Sequence, residues 1–143
     1  MRGLTISKEG DLMPIKLGAV SEAIEMTDDE LEFLYDRKTE TIIRVPDDDE
    51  AEAPFEADEA RYVTLPTQYE RDDYQLMTRF TDEVATALQR PQLEQTLHGH
   101  GVFRRFRRAL EALGLVDQWY EFQGTAYQQL AKRWCQANHI EYV

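Results

Sequence analysis

The chain has 143 residues, 42% of them hydrophobic and 10% aromatic, which is enough for one domain with its own core. Its formal net charge is −12, and the acidic excess is uneven. Residues 1–100 carry 24 acidic and 10 basic side chains, whereas residues 101–143 carry four and six. An acidic surface repels phosphate backbones, so the composition argues against broad nonspecific binding of nucleic acid and favours solubility or basic partners.

The cysteine count and the lack of long apolar stretches indicate the cellular compartment. Cys135 is the single cysteine, so an internal disulfide framework is excluded. The first residues lack the apolar run of a signal peptide, and no stretch has the length needed to span a bilayer. We therefore expect a cytoplasmic protein that does not enter the membrane.

The first half of the chain contains the strand signals. Residues 1–12 carry scattered charges without periodicity and are predicted to form a flexible N-terminal extension ahead of a single domain at 13–143. Helical spacing from Leu17 to about Met26 predicts a first helix. The stretches "LEFLYD" and "TIIRV" flank a polar turn and predict an antiparallel hairpin, to which "RYVTLP" can add a third strand.

The rest of the chain has helical spacing. The predicted helices cover about 70–90, 93–97, 102–113 and 117–137. Leu88 lies in the apolar stripe of the first, which Pro91 should end, and a break is expected at Gly124 in the last. A hairpin followed by helices indicates an α+β fold, in which a small antiparallel sheet packs against a helical bundle with a long C-terminal helical region.

An acidic segment separates the hairpin from the third strand. "PDDDEAEAPFEADEA", residues 46–60, has eight acidic residues, no basic ones and two prolines. Mutual repulsion and proline favour a disordered loop over an ordered binding element. Phe55 is its one aromatic residue, and it can contact either its own domain or a partner.

Four arginines interrupt the acidic composition at 102–113. Phe103, Phe106 and Leu110 fall on one third of the helix and are predicted to face the core, while the arginines occupy the polar arc. The arginines are Arg104, Arg105, Arg107 and Arg108. Because Glu111 is the only acid on this helix, we expect carboxylates from the acidic part of the chain to balance them, ahead of contact with a partner protein or with phosphates.

The last predicted helix is rich in aromatic residues. Core packing explains them better than stacking on nucleic-acid bases. The apolar side of this helix carries five aromatic residues and one leucine: Trp119, Tyr120, Phe122, Tyr127, Leu130 and Trp134. Arg133 projects at the edge of this apolar side, so we expect a carboxylate partner for it.

Catalytic patterns are sparse. Neither a serine triad nor a phosphate-binding loop is indicated, and Cys135 is interpreted as a buried, inert thiol. His98 and His100, two apart between glycines, could contribute to a metal site if a carboxylate joined them. We expect neither a cofactor nor a metal.

Several blocks of the sequence carry a family resemblance. They are "VSEAIEM", the hairpin, "LPTQYERDDYQLMTRF", "GVFRRFRRALEALGLVDQWYEF" and "LAKRWCQANHIEY". With them, nearly everything after Met13 resembles a family of small bacterial proteins, Uncharacterised Protein Family 0158. The resemblance implies a bacterial cytoplasmic protein, and it implies no activity, cofactor or catalytic residue.

Three functions follow from these observations. The favoured function is that of an acidic, non-enzymatic module for interaction or regulation. It would bind a protein partner, and a partner with a basic surface is one option. The alternatives are an RNA- or single-stranded DNA-binding protein that uses the helix at 102–113 with Lys132, and a metal-dependent enzyme centred on His98 and His100. The candidate interaction residues are Phe55, Arg104, Arg105, Arg107, Arg108 and Arg133.

Overall fold

A computed structural model describes residues 14–46 and 60–143. The N-terminal extension expected at 1–12 lies outside the described residues, as does the acidic segment apart from its two ends. The described residues form two compact units. One contains residues 14–46, 60–71 and 128–143, and the other contains Asp72–Tyr127.

The first unit contains the sheet. Its elements are helix α1 (Leu17–Met26), strands β1 (Leu31–Asp36), β2 (Thr41–Pro46) and β3 (Tyr62–Thr64), and helix α2 (Gln68–Arg71). In the described chain the sheet has the order β2-β1-β3, and both pairings are antiparallel. The predicted first helix, hairpin and third strand are therefore confirmed.

Aromatic packing and end contacts hold this unit together. Tyr35 of β1 meets Trp134 edge-on, with ring centroids 6.1 Å apart, and the Trp134 indole donates a hydrogen bond of 2.9 Å to the carbonyl of Thr64 in β3. Ile15 and Tyr142 form a parallel bridge. Residues near both ends of the described chain thus pack within the same unit.

The side chain of a distant arginine caps the C-terminal end of α1. The Arg71 Nη1 donates hydrogen bonds of 2.9–3.0 Å to the carbonyls of Ile24, Glu25 and Thr27. They lie in the last turn of α1 or directly after it, where the partial negative charge of the helix end attracts a cation. Arg71 therefore stabilises the C-terminal end of α1.

The second unit is helical. Its elements are α3 (Asp73–Glu83), α4 (Arg90–Glu94), a 3₁₀ turn (Gln95–Leu97), α5 (Val102–Leu113) and the first part of α6 (Val116–Ala137). Phe80 of α3 is fully buried, and its ring packs edge-on against Phe106, Trp119 and Phe122 at centroid distances of 5.3–6.5 Å. Four aromatic rings from three helices thus form the core of this unit.

The predicted end of the first long helix is wrong. Helix α3 stops at Glu83, and the Arg90 guanidinium donates to the carbonyls of Thr81, Asp82 and Ala85 near its end. Pro91 lies in the first turn of α4 instead of ending α3, a position that its fixed φ suits. Leu88, expected in the apolar stripe, lies between the two helices and is 89% exposed.

Helix α6 also differs from the prediction. It continues through Gly124 without a break, and its residues 116–127 belong to the second unit and 128–137 to the first. The predicted α+β class is confirmed. Among the helices of the described ranges, none combines the length and the apolar character that a membrane crossing requires.

Candidate interaction surface on the arginine-rich helix

Helix α5 has the bounds that the sequence predicts, Val102–Leu113. Gly101 and Gly114 flank it with φ values of 65° and 71°, in the left-handed region that glycine adopts without a Cβ penalty. Phe106 and Leu110 are buried and anchor the helix in the second unit. The remaining circumference carries the arginines.

Arg105 contributes to the fold. Its guanidinium donates to the carbonyls of Gln95, the first residue of the 3₁₀ turn, and of His98 and His100, which follow the turn. One guanidinium can satisfy several such carbonyls, because it carries five N–H donors. Arg105 therefore stabilises the loop that leads into α5, and its guanidinium is bonded to backbone carbonyls.

Arg107 is held by its neighbours but stays at the surface. Its Nε lies 3.3 Å from the Glu111 carboxylate, and its guanidinium lies 5.2 Å from the centroid of the Tyr120 ring and donates to the Tyr120 hydroxyl. The hydrogen bond with Tyr120 is the main reason that the pKa of Arg107 lies above its ordinary value. The guanidinium is thus held against the Tyr120 ring at the surface of the second unit.

Arg104 and Arg108 have a different environment. Both are exposed, and neither forms a hydrogen bond or an ion pair with any residue in the described part of the chain. The expectation that the acidic part of the chain supplies carboxylates to all four arginines is therefore wrong for the described residues. Carbonyls bind Arg105, Glu111 and Tyr120 bind Arg107, and the other two arginines have no partner among the described residues.

Two aromatic residues that were expected in the core lie beside these charges. Phe103 is 59% exposed, because the fully buried residues of α5 are Phe106 and Leu110 alone among its described side chains, and Tyr120 of α6 is 50% exposed. Phe103 and Arg107 are four residues apart, as are Arg104 and Arg108, so the pairs form adjacent ridges. We call this surface the arginine–aromatic face: Phe103, Arg104, Arg107, Arg108 and Tyr120.

The remaining predicted site residues lie elsewhere. Arg133 is exposed on α6, and the carboxylate partner expected for it is not found among the described residues. Phe55 lies outside the described residues. His98 and His100 are exposed in the loop before α5, and the described ranges contain no cluster of three or more His, Cys, Asp or Glu that could hold a metal ion.

The charge of the second unit sets the context of the arginine–aromatic face. This unit contains eight acidic and six basic residues, a net charge of −2, and four of the six bases are on α5. The rest of the chain carries −10. The face is therefore a local basic area on an acidic protein.

Sequence reasoning missed a second feature, a cavity in the first unit. Its polar lining comes from Tyr35, Arg37, Glu40, His139 and Glu141. The last two are about 100 positions away from the others, and no local motif connects them. Only the fold brings these residues together.

Comparison with known proteins identifies a family. The model of Uncharacterised protein family (UPF0158) matches residues 12–143. No curated protein and no solved structure gave a significant match.

Proposed function

The chain belongs to Uncharacterised protein family (UPF0158), and from the geometry of α5 we propose that it is a non-enzymatic interaction module whose arginine–aromatic face binds an acidic segment of another protein. The proposal includes a bacterial cytoplasmic setting. A single cysteine, buried and unpaired, suits a reducing compartment.

One observation carries the proposal. Arg104 and Arg108 are exposed, project from one stable helix and have no partner among the described residues. Arginines that only served the fold would resemble Arg105, whose guanidinium is taken up by three carbonyls. Two bare guanidinium groups on a rigid helix can form bidentate bonds with carboxylates at a small entropic cost.

The neighbouring aromatic residues point to a protein partner. Phe103 and Tyr120 supply apolar contact area beside the charges, and aromatic residues and arginine are the types that protein interfaces concentrate. Carboxylates on the partner supply the complementary charge. An acidic segment that also carries apolar side chains therefore fits both components of the face.

Charge argues against nucleic acid as the ligand. A nucleic-acid strand extends well beyond three arginines, and the flanking surface belongs to a unit of net charge −2 in a chain of −12. Phosphates would gain a few contacts on α5 and meet repulsion beyond it. A short acidic protein segment avoids this repulsion because it can end where the basic area ends.

Two fluorescent probes of equal charge test the proposal with the full-length chain. One is an acidic peptide of aspartate and glutamate that contains two phenylalanines, and the other is a single-stranded DNA. We expect fluorescence anisotropy to detect peptide binding in preference to DNA. The double variant R104E/R108E should weaken peptide binding by about tenfold or more, because it replaces two attractive charges with repulsive ones.

The matched control is K38E/R44E, which makes the same charge change at two exposed residues of the first unit. This variant should bind the peptide like the wild type, apart from a small effect of net charge. Tighter binding of the DNA than of the peptide would support the nucleic-acid alternative instead. Equal loss in both double variants would show that overall charge, and not the arginine–aromatic face, governs the binding.

A further inference from the structure

The first unit contains a cavity of about 390 Å³, which we call the Tyr35 cavity. Small-molecule sites typically have volumes of about 300–1,000 Å³, so its size suits a small ligand. Tyr35 enters from β1, Arg37 and Glu40 from the turn after it, and His139 and Glu141 from the segment after α6. All belong to one compact unit.

Tyr35 is a polar group without a described partner. The side chain is 6% exposed and its ring packs against Trp134, yet its hydroxyl forms no hydrogen bond with any residue in the described ranges. Burial raises the pKa of Tyr35, with a further contribution from Glu40, so the phenol stays neutral. The hydroxyl is open to the cavity, so a ligand placed there can form a hydrogen bond with it.

Two carboxylates make the Tyr35 cavity favourable for a cation. Burial and the nearby charge of Glu141 both raise the pKa of Glu40. Within the described part of the chain neither carboxylate has an ion-pair partner, and the Nη1 of Arg37 donates to the carbonyl of Asn138. A cation placed near both carboxylates would relieve their repulsion.

The remaining residues of the cavity lining are apolar. Pro14, Ile15 and Ile140 line the cavity and can cover an aliphatic chain. A metal ion is a poor fit, because these residues are not among any described cluster of three or more ligating side chains. A carboxylate pair, a phenol and an apolar wall are complementary to an ammonium group on an alkyl stem.

We propose that the Tyr35 cavity binds a primary alkylamine, whose ammonium group bonds to Glu40 and Glu141 and whose aliphatic chain lies against Pro14, Ile15 and Ile140. The Tyr35 hydroxyl accepts a hydrogen bond from the same ammonium group. The amine can be a free small molecule or the side chain of a lysine in a peptide. This site is in the first unit and is independent of the arginine–aromatic face.

Calorimetric titration of the full chain tests the site. The probes are 1,4-diaminobutane as a free amine, N-acetyl-lysine amide as a lysine side chain, and n-butanol as a neutral chain of matched length. We expect at least one amine to bind and butanol not to bind. Whichever amine binds more tightly identifies the source of the ammonium group.

Three variants separate a specific site from general charge attraction. E40Q and E141Q should each weaken amine binding by about tenfold, the effect of losing one charge-assisted hydrogen bond, and Y35F should weaken it less. E32Q removes an exposed carboxylate of β1 outside the cavity and should leave binding unchanged. Because Glu141 is exposed, E141Q should fold normally even if Y35F does not.

Two results would overturn this inference. One is failure of both amines to bind at millimolar concentration. The other is an equal affinity of the wild type, E40Q and E141Q for the amine, which would place binding elsewhere. Neither result concerns peptide binding by α5, so the amine site and the proposed function can be rejected independently of each other.

Discussion

Arg61 donates two parallel hydrogen bonds to Asp36, from Nε to Oδ1 and from Nη2 to Oδ2, each 2.8 Å long. The Asp36 carboxylate also accepts from the backbone N–H of Lys38 at 2.9 Å, and the residue is 2% exposed. The hydrogen bonds from Arg61 are the main reason that the pKa of Asp36 lies far below its ordinary range. The pair fixes the end of β1 to the start of the segment that leads into β3.

The variant D36N should lower the melting temperature at neutral pH, because an amide cannot accept both bonds from Arg61. The pKa of Asp36 is lowered by folding, so its stabilisation is complete above the unfolded value of about 4 and is lost as the pH falls below that value. The difference between wild type and variant should therefore narrow in acid. Thermal melts from neutral to acid pH check this, with E32Q as the control. A difference that stays constant with pH would contradict it.

The core of the second unit should depend strongly on Phe80. The change F80A removes a fully buried ring that contacts three other rings, and we expect a loss of about 3–5 kcal/mol in the free energy of unfolding. L88A removes a large side chain that is 89% exposed and should change it by less than about 0.5 kcal/mol. Urea titration measures both. A loss of similar size in the two variants would show that Phe80 is not a core anchor.

Local sequence signals predicted most of the fold. The bounds of α1 and α5 and the pairing of β1 with β2 follow from apolar spacing and turn residues, because each depends on neighbours in the chain. Spacing also places side chains around a helix, but it does not give the width of the strip that other elements cover. Phe103 and Tyr120 were therefore assigned to the core and lie at the surface.

The use of the arginines could not be derived from composition. Counting charges predicts carboxylate partners, whereas Arg71, Arg90 and Arg105 bond to backbone carbonyls near the ends of helices. Such carbonyls are invisible in a sequence until the helix ends are known. The Tyr35 cavity was missed for a related reason, because Tyr35 and Glu141 meet only in the folded chain.

Two glycines allow a matched test of backbone conformation. A Cβ at Gly114 or at Gly124 would meet no atom within 4 Å, but Gly114 has a φ of 71° and Gly124 lies inside α6. G114A should therefore destabilise the protein by about 1 kcal/mol, and G124A should stabilise it by about 0.5–1 kcal/mol. Urea titration gives both values. The same sign for the two variants would show that the φ of 71° does not decide the effect of the change at Gly114.

Glu40 combines backbone strain with a position in the Tyr35 cavity. Its φ of 59° is in the left-handed region, which costs an ordinary residue about 1–2 kcal/mol. The change E40G should remove this cost and raise the melting temperature, while it weakens amine binding because the carboxylate is lost. Thermal melts and calorimetric titration of the same sample check the two effects. A lower melting temperature would mean that the Glu40 side chain stabilises the turn more than its backbone strains it.

Cys135 should be inert in the folded protein. The residue is fully buried, and burial raises the pKa of its thiol, so the reactive thiolate is both scarce and inaccessible. We expect an aromatic disulfide reagent to react slowly with the native chain and to consume one equivalent rapidly in denaturant, since the sequence has one cysteine. The native rate should rise with added urea in step with opening of the first unit. Rapid reaction without denaturant would show that the C-terminal part of α6 opens readily, and it would also remove the support that Trp134 gives to Tyr35.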